Sequence, residues 1–214
     1  MNNPVPEVFC PYFAGIPERF VPLFLGAQTL WEPLDRLQAF LTRELKPANR
    51  ATIKGSVHIE RLVEIGEGTV IEHGAVIIGP AIIGKNCEIR AGAYIRGQVV
   101  VGDGCIVGHT TEVIRSVFFD GVHADHFNYV GDSILGAAAH LGAGAKIANL
   151  RFDKQAIRFA GVDTKRRKFG VILGDNVQLG VNVMLGPGIA VEKDVWIPSS
   201  DQRKSGAYRR EDIR

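Results

Sequence analysis

The stretch Asp-His-Phe-Asn-Tyr-Val-Gly-Asp-Ser at 125–133 sets a histidine, an asparagine and a tyrosine among charged and small residues. His126 is the residue type suited to moving a proton near neutral pH, because an imidazole titrates there. Tyr129 stands three positions on. A second group is the run Lys165-Arg166-Arg167-Lys168. Such a run is normally a solvated loop, but its cations also suit phosphate groups. A third is the turn Gly-Ala-Gly-Ala at 142–145, where Ala143 and Gly144 could offer backbone N–H groups to an oxyanion. His109, His123, His126 and His140 raise a rival chemistry. Zinc held by three converging imidazoles with one open position can hydrate carbon dioxide, but the spacing here does not match trimeric hexapeptide proteins that do so. The three cysteines, Cys10, Cys87 and Cys105, are an odd count without metal spacing. Cys87 and Cys105 read as small core residues with reduced thiols, which fits a cytoplasmic location.

These groups need a scaffold, and the chain supplies one through its periodicity. From Ile53 an aliphatic residue recurs at every sixth position through Ile59, Ile65, Ile71, Ile77, Ile83, Ile89, Ile95, Val101, Val107 and Val113. Four positions after each stands a small or β-branched residue, such as Ala75, Cys87, Ala93 and Cys105. A six-residue clock marks a parallel β-helix of hexapeptides, three to a triangular coil. The aliphatic side chains point inward from flat sides and the small ones fill corners. Known helices of this kind wind left-handed, against the usual crossover preference. The expected fold is therefore all-β, a left-handed parallel β-helix over 51–200 with a short N-terminal helical cap.

The clock is expected to break over 118–133 and again over 149–171, so both segments read as polar loops leaving the stack, where function usually sits. Residues 1–50 form an N-terminal extension. Its helix carries Trp31, Leu34, Leu37, Phe40, Leu41 and Leu45 on one face, with Pro33 in the first turn and Pro47 just past the end. This helix is expected to cover the open end of the β-helix. Residues 201–214 read as a polar tail.

The 214 residues suit one sizeable domain, and 46% hydrophobic content can fill its core. A formal net charge of +2 argues against nucleic acid as a partner. No basic, apolar leader opens the chain, and no apolar run reaches the ~20 residues of a membrane span, so no membrane association is expected.

Four strings carry a resemblance: Ala-Tyr-Ile-Arg-Gly at 93–97, His-Phe-Asn-Tyr-Val-Gly-Asp-Ser at 126–133, 141–154 from Leu-Gly-Ala-Gly-Ala to Asp-Lys, and 164–183 from Thr-Lys-Arg-Arg-Lys to Val-Asn-Val. Through them residues 31–188 resemble the C-terminal half of the bifunctional, archaeal-type sugar-1-phosphate nucleotidyltransferase/acetyltransferases that make UDP-N-acetylglucosamine. The resemblance implies transfer of an acetyl group from acetyl-CoA to the amine of an amino-sugar phosphate such as glucosamine-1-phosphate. It implies a homotrimer with sites between neighbouring helices. His126 is then the general base. Arg96, Arg115, Tyr129, His140, Asn149 and Lys168 face the sugar phosphate, and Ala143, Gly144, Arg166 and Arg167 face acetyl-CoA, the co-substrate. No metal is required by that chemistry, and no covalent enzyme intermediate.

The sequence departs from this family in three ways. The family's usual lysine falls at Ile114, with Arg115 beside it. The asparagine usual before Gly-Ala-Gly is His140. The nucleotidyltransferase half and its Gly-rich phosphate loop are missing from the sequence, so nucleotidyl transfer is not expected. The first two changes leave open a non-catalytic, sugar-phosphate- or nucleotide-sugar-binding relative.

Overall fold

The computed structural model describes residues 5–212. From Ala48 to Tyr208 the chain winds through three parallel sheets of nine, eight and eight strands, each strand only two to four residues long. Face 1 opens with Ala48–Asn49, face 2 with Thr52–Lys54 and face 3 with His58–Ile59; each later coil adds one strand to each face. The result is a left-handed parallel β-helix of about nine turns.

The six-residue clock fills its interior. Ile65, Ile71, Ile77, Ile83, Ile89 and Ile95 are fully buried in one continuous core. Each strand donates and accepts backbone hydrogen bonds with the coils before and after it, so no single coil needs to be stable alone. Cys87 and Cys105 are both buried free thiols within this core. Glu88↔Ile106 and Ile89↔Val107 pair in register, which sets the two cysteines one coil apart, as their spacing predicts.

The clock does not break at 118–133. It loses one residue, twice. Tyr94↔Glu112 and Ile95↔Val113 pair 18 residues apart, but Val101↔Phe118, Val107↔Ala124 and Val113↔Val130 pair 17 apart. Phe118↔Leu135, Ala124↔Leu141 and Tyr129↔Lys146 keep the same 17-residue spacing. Phe118, Ala124 and Val130 are thus the missing beats, all fully buried. The expected loop is in fact the end of strand Val117–Phe118 and the strands His123–His126 and Tyr129–Gly131. The deletions fall at the corner between faces 3 and 1. There Arg115 and Asp132 each adopt a left-handed backbone, φ 44° and 50°, and turn the chain in fewer residues than Gly97-Gln98 one coil earlier.

The second expected loop does leave the stack. Leu135↔Leu173 and Leu141↔Leu179 pair 38 residues apart. The excess chain forms a small antiparallel hairpin, Arg158–Phe159 with Val162–Asp163, whose base is closed by a Leu150–Lys168 bridge.

The N-terminal helices lie along the flank, and do not cover the end. Helix α1 (Val21–Phe24) and helix α2 (Glu32–Glu44) pack with Phe9 and Phe13 onto the outside of face 1. They cover the column Ile82, Val100, Val117, Ile134, Ile172 and Ala190, one outward residue per coil. The reason is local composition. Face 1 strands are apolar on both sides, as in Val99–Val101, and so must be buried on both faces. Asp175 pins this arm by accepting hydrogen bonds from the Ala14 and Ala137 N–H groups at 2.7 and 2.8 Å. The first coil stays open, with Ile53 39% exposed. The C-terminal segment is not simply a tail: Gln202–Arg203 and Gly206–Tyr208 extend faces 3 and 1.

Candidate active site

Face 3 shows a column of outward side chains, Tyr94, Glu112, Tyr129, Lys146 and Met184, stacked coil upon coil. At its edge toward face 1 the shortened corners put Arg115 directly over Asp132. Arg115 Nε and Nη2 donate to the two carboxylate oxygens at 2.7 and 2.8 Å, a bidentate fork. Asp132 is almost wholly buried and also accepts 2.6 Å from Asn149 Nδ2. The Tyr129 hydroxyl meets the Asn149 amide across Gly131, where an added Cβ would lie 2.5 Å from Asn149 Nδ2 and 3.0 Å from the Tyr129 oxygen. Burial and the neighbouring Glu112 push the Tyr129 phenol up from its ordinary value, while the Asn149 amide pulls the other way. Arg96 donates to Glu112 at 2.5 Å, and its guanidinium stands 5.7 Å from the Tyr94 ring. Hydrogen bonding to Glu112 and to Asp132 holds Arg96 and Arg115 above the usual arginine range.

The structure therefore brings together four of the residues the sequence points to: Arg96, Arg115, Tyr129 and Asn149. Lys168 stands exposed beside them at the base of the extruded hairpin, where Phe169 N–H donates to the Asn149 carbonyl. Asp132 and Glu112 organise the cluster and were missed. The signal for Asp132 is its 17-residue offset from Arg115, visible only once the slipped clock is recognised. Ile114, at the position of the family's lysine, is buried and offers no ligand.

Other expected members lie elsewhere. His126 is exposed at the corner between faces 2 and 3, beneath the Gly-Ala-Gly-Ala turn: Gly144 N–H donates to the His126 carbonyl at 2.9 Å. Its ring touches Phe127, and among the described residues no hydrogen bond joins it to Tyr129 or Asn149. The turn's amides are mostly spent, since Ala145 N–H donates to the Gly142 carbonyl. The Ala143 N–H has no hydrogen-bond partner among the described residues. His140 lies on face 2, above His123. Arg166 is tied to Asp35 of α2 and donates to the Lys168 carbonyl, so it fastens the hairpin to the helix and is not free for a phosphate. Arg167 is exposed. The four histidines form two separate pairs, His109 with His126 and His123 with His140, so three imidazoles do not converge within one chain.

A triangular coil with one inward aliphatic side chain every six residues defines the hexapeptide class of parallel β-helix. Residues 77–191, just over half of the chain, match the family model of the GMPPB C-terminal domain, and the chain belongs to that family. It is 32% identical over 192 residues to the bifunctional protein GlmU of Methanococcus aeolicus, covering 86% of this chain and 46% of that protein. It is 38% identical over 143 residues to a bifunctional sugar-1-phosphate nucleotidylyltransferase/acetyltransferase of Sulfurisphaera tokodaii, covering 65% and 34%. GlmU of Methanocaldococcus jannaschii is 40% identical over 98 residues, covering 44% and 24%. The chain thus spans less than half the length of these relatives. Among solved structures, the polysialic acid O-acetyltransferase OatWY aligns with 17% identity and a TM-score of 0.35, over 75% of this chain and 81% of that one. Among the described residues no helix is long and apolar enough to cross a membrane.

Proposed function

We propose that the chain transfers an acetyl group from acetyl-CoA to the amine of a sugar phosphate of the glucosamine-1-phosphate kind. The observation that carries this reading is the corner between faces 2 and 3. An exposed imidazole, His126, and an unclaimed backbone donor, the Ala143 N–H, occupy successive coils of one edge. An amine must be neutral to attack a thioester and must lose a proton as the C–N bond forms. His126 takes that proton and passes it to the departing thiolate. The Ala143 N–H stabilises the oxyanion of the tetrahedral intermediate. The sugar lies along Tyr129–Gly131, a strand that carries the chain roughly 10 Å from this corner to the arginine corner. Asn149 and Tyr129 contact its hydroxyl groups, and Lys168 and Arg96 face its phosphate. The name of the Sulfurisphaera tokodaii relative includes a sugar-1-phosphate and acetyl transfer, which supports the same reading. A groove of 520 Å3 lined by Leu150, Phe152, Pro187 and Lys204, with Arg151 paired to Asp153 and Arg203 to Asp201, offers a largely apolar bed for the long acyl carrier. Assembly as a homotrimer would set a neighbouring helix over this edge.

A second reading has its own support. Arg96 and Arg115 are already paired with Glu112 and Asp132, so two positive and two negative charges balance at the proposed phosphate subsite. That weakens phosphate capture at this corner and favours a diverged relative of the same family, a sugar-phosphate or nucleotide-sugar binder in which transfer has been lost. Release of free CoA thiol from acetyl-CoA, followed with a panel of amino-sugar phosphates, separates the two. Turnover with one of them supports transfer. Saturable binding of the sugar with no thiol release supports the second reading.

A further inference from the structure

We propose that face 2 carries a site for a divalent cation of the zinc, cobalt or nickel class, held by His123, Asp125 and His140. These three side chains each offer one ligand atom, and the three atoms lie within 4.8 Å of one another. The fold makes the cluster twice over. Register pairs His123 with His140 on successive coils, and their rings stand 6.2 Å apart. Strand alternation then puts Asp125 on the same outward side as His123, with Ala124 buried between them. The position stacked over Asp125 is Gly142, so no side chain roofs the carboxylate.

The donors are also free to bind. Asp125 divides its oxygens: Oδ1 accepts from Arg90 at 3.2 Å, and Oδ2 faces His140 Nδ1 at 3.6 Å, too far for a hydrogen bond. Among the described residues neither imidazole ring has a hydrogen-bond partner. Arg90 reaches Asp125 across Gly108, where an added Cβ would collide with the Asp125 carbonyl. Arg90 thereby fixes the orientation of the carboxylate, as outer partners of metal ligands do. Ligand atoms around a tetrahedral zinc at ~2.1 Å stand about 3.4 Å apart. Small side-chain rotations close the observed spacing to that value. Two imidazoles and one carboxylate suit a first-row divalent metal, not calcium or magnesium. Three protein ligands leave a coordination position for water or an external donor. The site shares no residue with the His126 corner, and this assignment replaces the substrate role that sequence analysis gives His140.

The test is equilibrium dialysis of the metal-stripped full chain against zinc alone, with cobalt(II) absorption as a second readout. The expected result is one zinc per chain with Kd of about 1 μM or tighter, and the visible band of tetrahedral cobalt. His123→Ala and His140→Ala, both on half-exposed side chains, should each weaken zinc by at least about 100-fold, since even an outer partner is worth 10–100-fold. His109→Ala should leave it unchanged. Zinc affinity equal in His140→Ala and the parent chain overturns the site, as does binding no tighter than about 100 μM.

Discussion

The Arg115–Asp132 fork is the most tightly constrained polar contact on face 3. Asp132 is buried with two partners, Arg115 and Asn149, so removing the cation leaves a carboxylate without its counter-charge. Arg115→Met should lower unfolding free energy by about 3–5 kcal/mol, and adding Asp132→Asn should restore part of the loss, because no ion then remains to be stranded. Urea titration of the single and double variants checks this; additive losses would contradict it. His126 belongs to the opposite case, an exposed side chain with little to stabilise. His126→Ala should leave stability nearly unchanged. With a substrate the parent chain acetylates, it should lower turnover by roughly 10²–10⁴-fold, the usual worth of a positioned base. Acetyl-CoA affinity should barely move, since the proton transfer matters only in the transition state. Equal turnover in variant and parent would remove His126 from the mechanism.

At the scale of elements, the outward column of face 1 decides where the helical arm goes. Val100 is fully buried between the sheet and the helices. Val100→Asp would place an unpaired carboxylate there, at a cost of several kcal/mol if the arm stayed docked. The β-helix core lies on the other side of the strand and keeps its packing. Limited proteolysis should therefore cleave the variant between Gly26 and Lys46 while the strands of the β-helix remain intact. An arm as protected as in the parent would show that the column does not hold it. The extruded hairpin is a different kind of element. It is anchored by Arg166 to α2 and by Trp31 against Phe159 and Phe169, so arm and hairpin support one another.

At the scale of the whole molecule, faces 2 and 3 have no such cover among the described residues. Tyr94, Phe127, Val181, Met184 and Trp196 are all more than 40% exposed, and all lie on these two faces or the corner between them. Apolar side chains exposed on two adjoining faces mark a contact surface. Closed cyclic symmetry would let three copies bury it. Light scattering at micromolar concentration should give three chain masses, and Trp196→Asp or Phe127→Asp should lower that number. A single chain mass for the parent would sink the assembly, and with it a site shared between neighbours.

The β-helix was legible in the sequence because its core repeats: one aliphatic every six residues, from Ile53 to Val113, admits few other folds. The resemblance strings likewise named Arg96, Tyr129 and Asn149, and the departure at Ile114 pointed to its neighbour Arg115; the four converge. What sequence alone did not yield was set by register. Two single-residue deletions looked like the end of the repeat, since periodicity has no tolerance for a changed phase. In three dimensions they only shorten a corner, and backbone pairing between coils carries the stack across it. That pairing brings Asp132 to Arg115 and His140 to His123, contacts between positions 17 apart that local pattern does not reveal. The helical arm shows the same limit. Its amphipathic face was plain, but which surface it covers depended on a column of residues one per coil, and only the folded stack assembles that column.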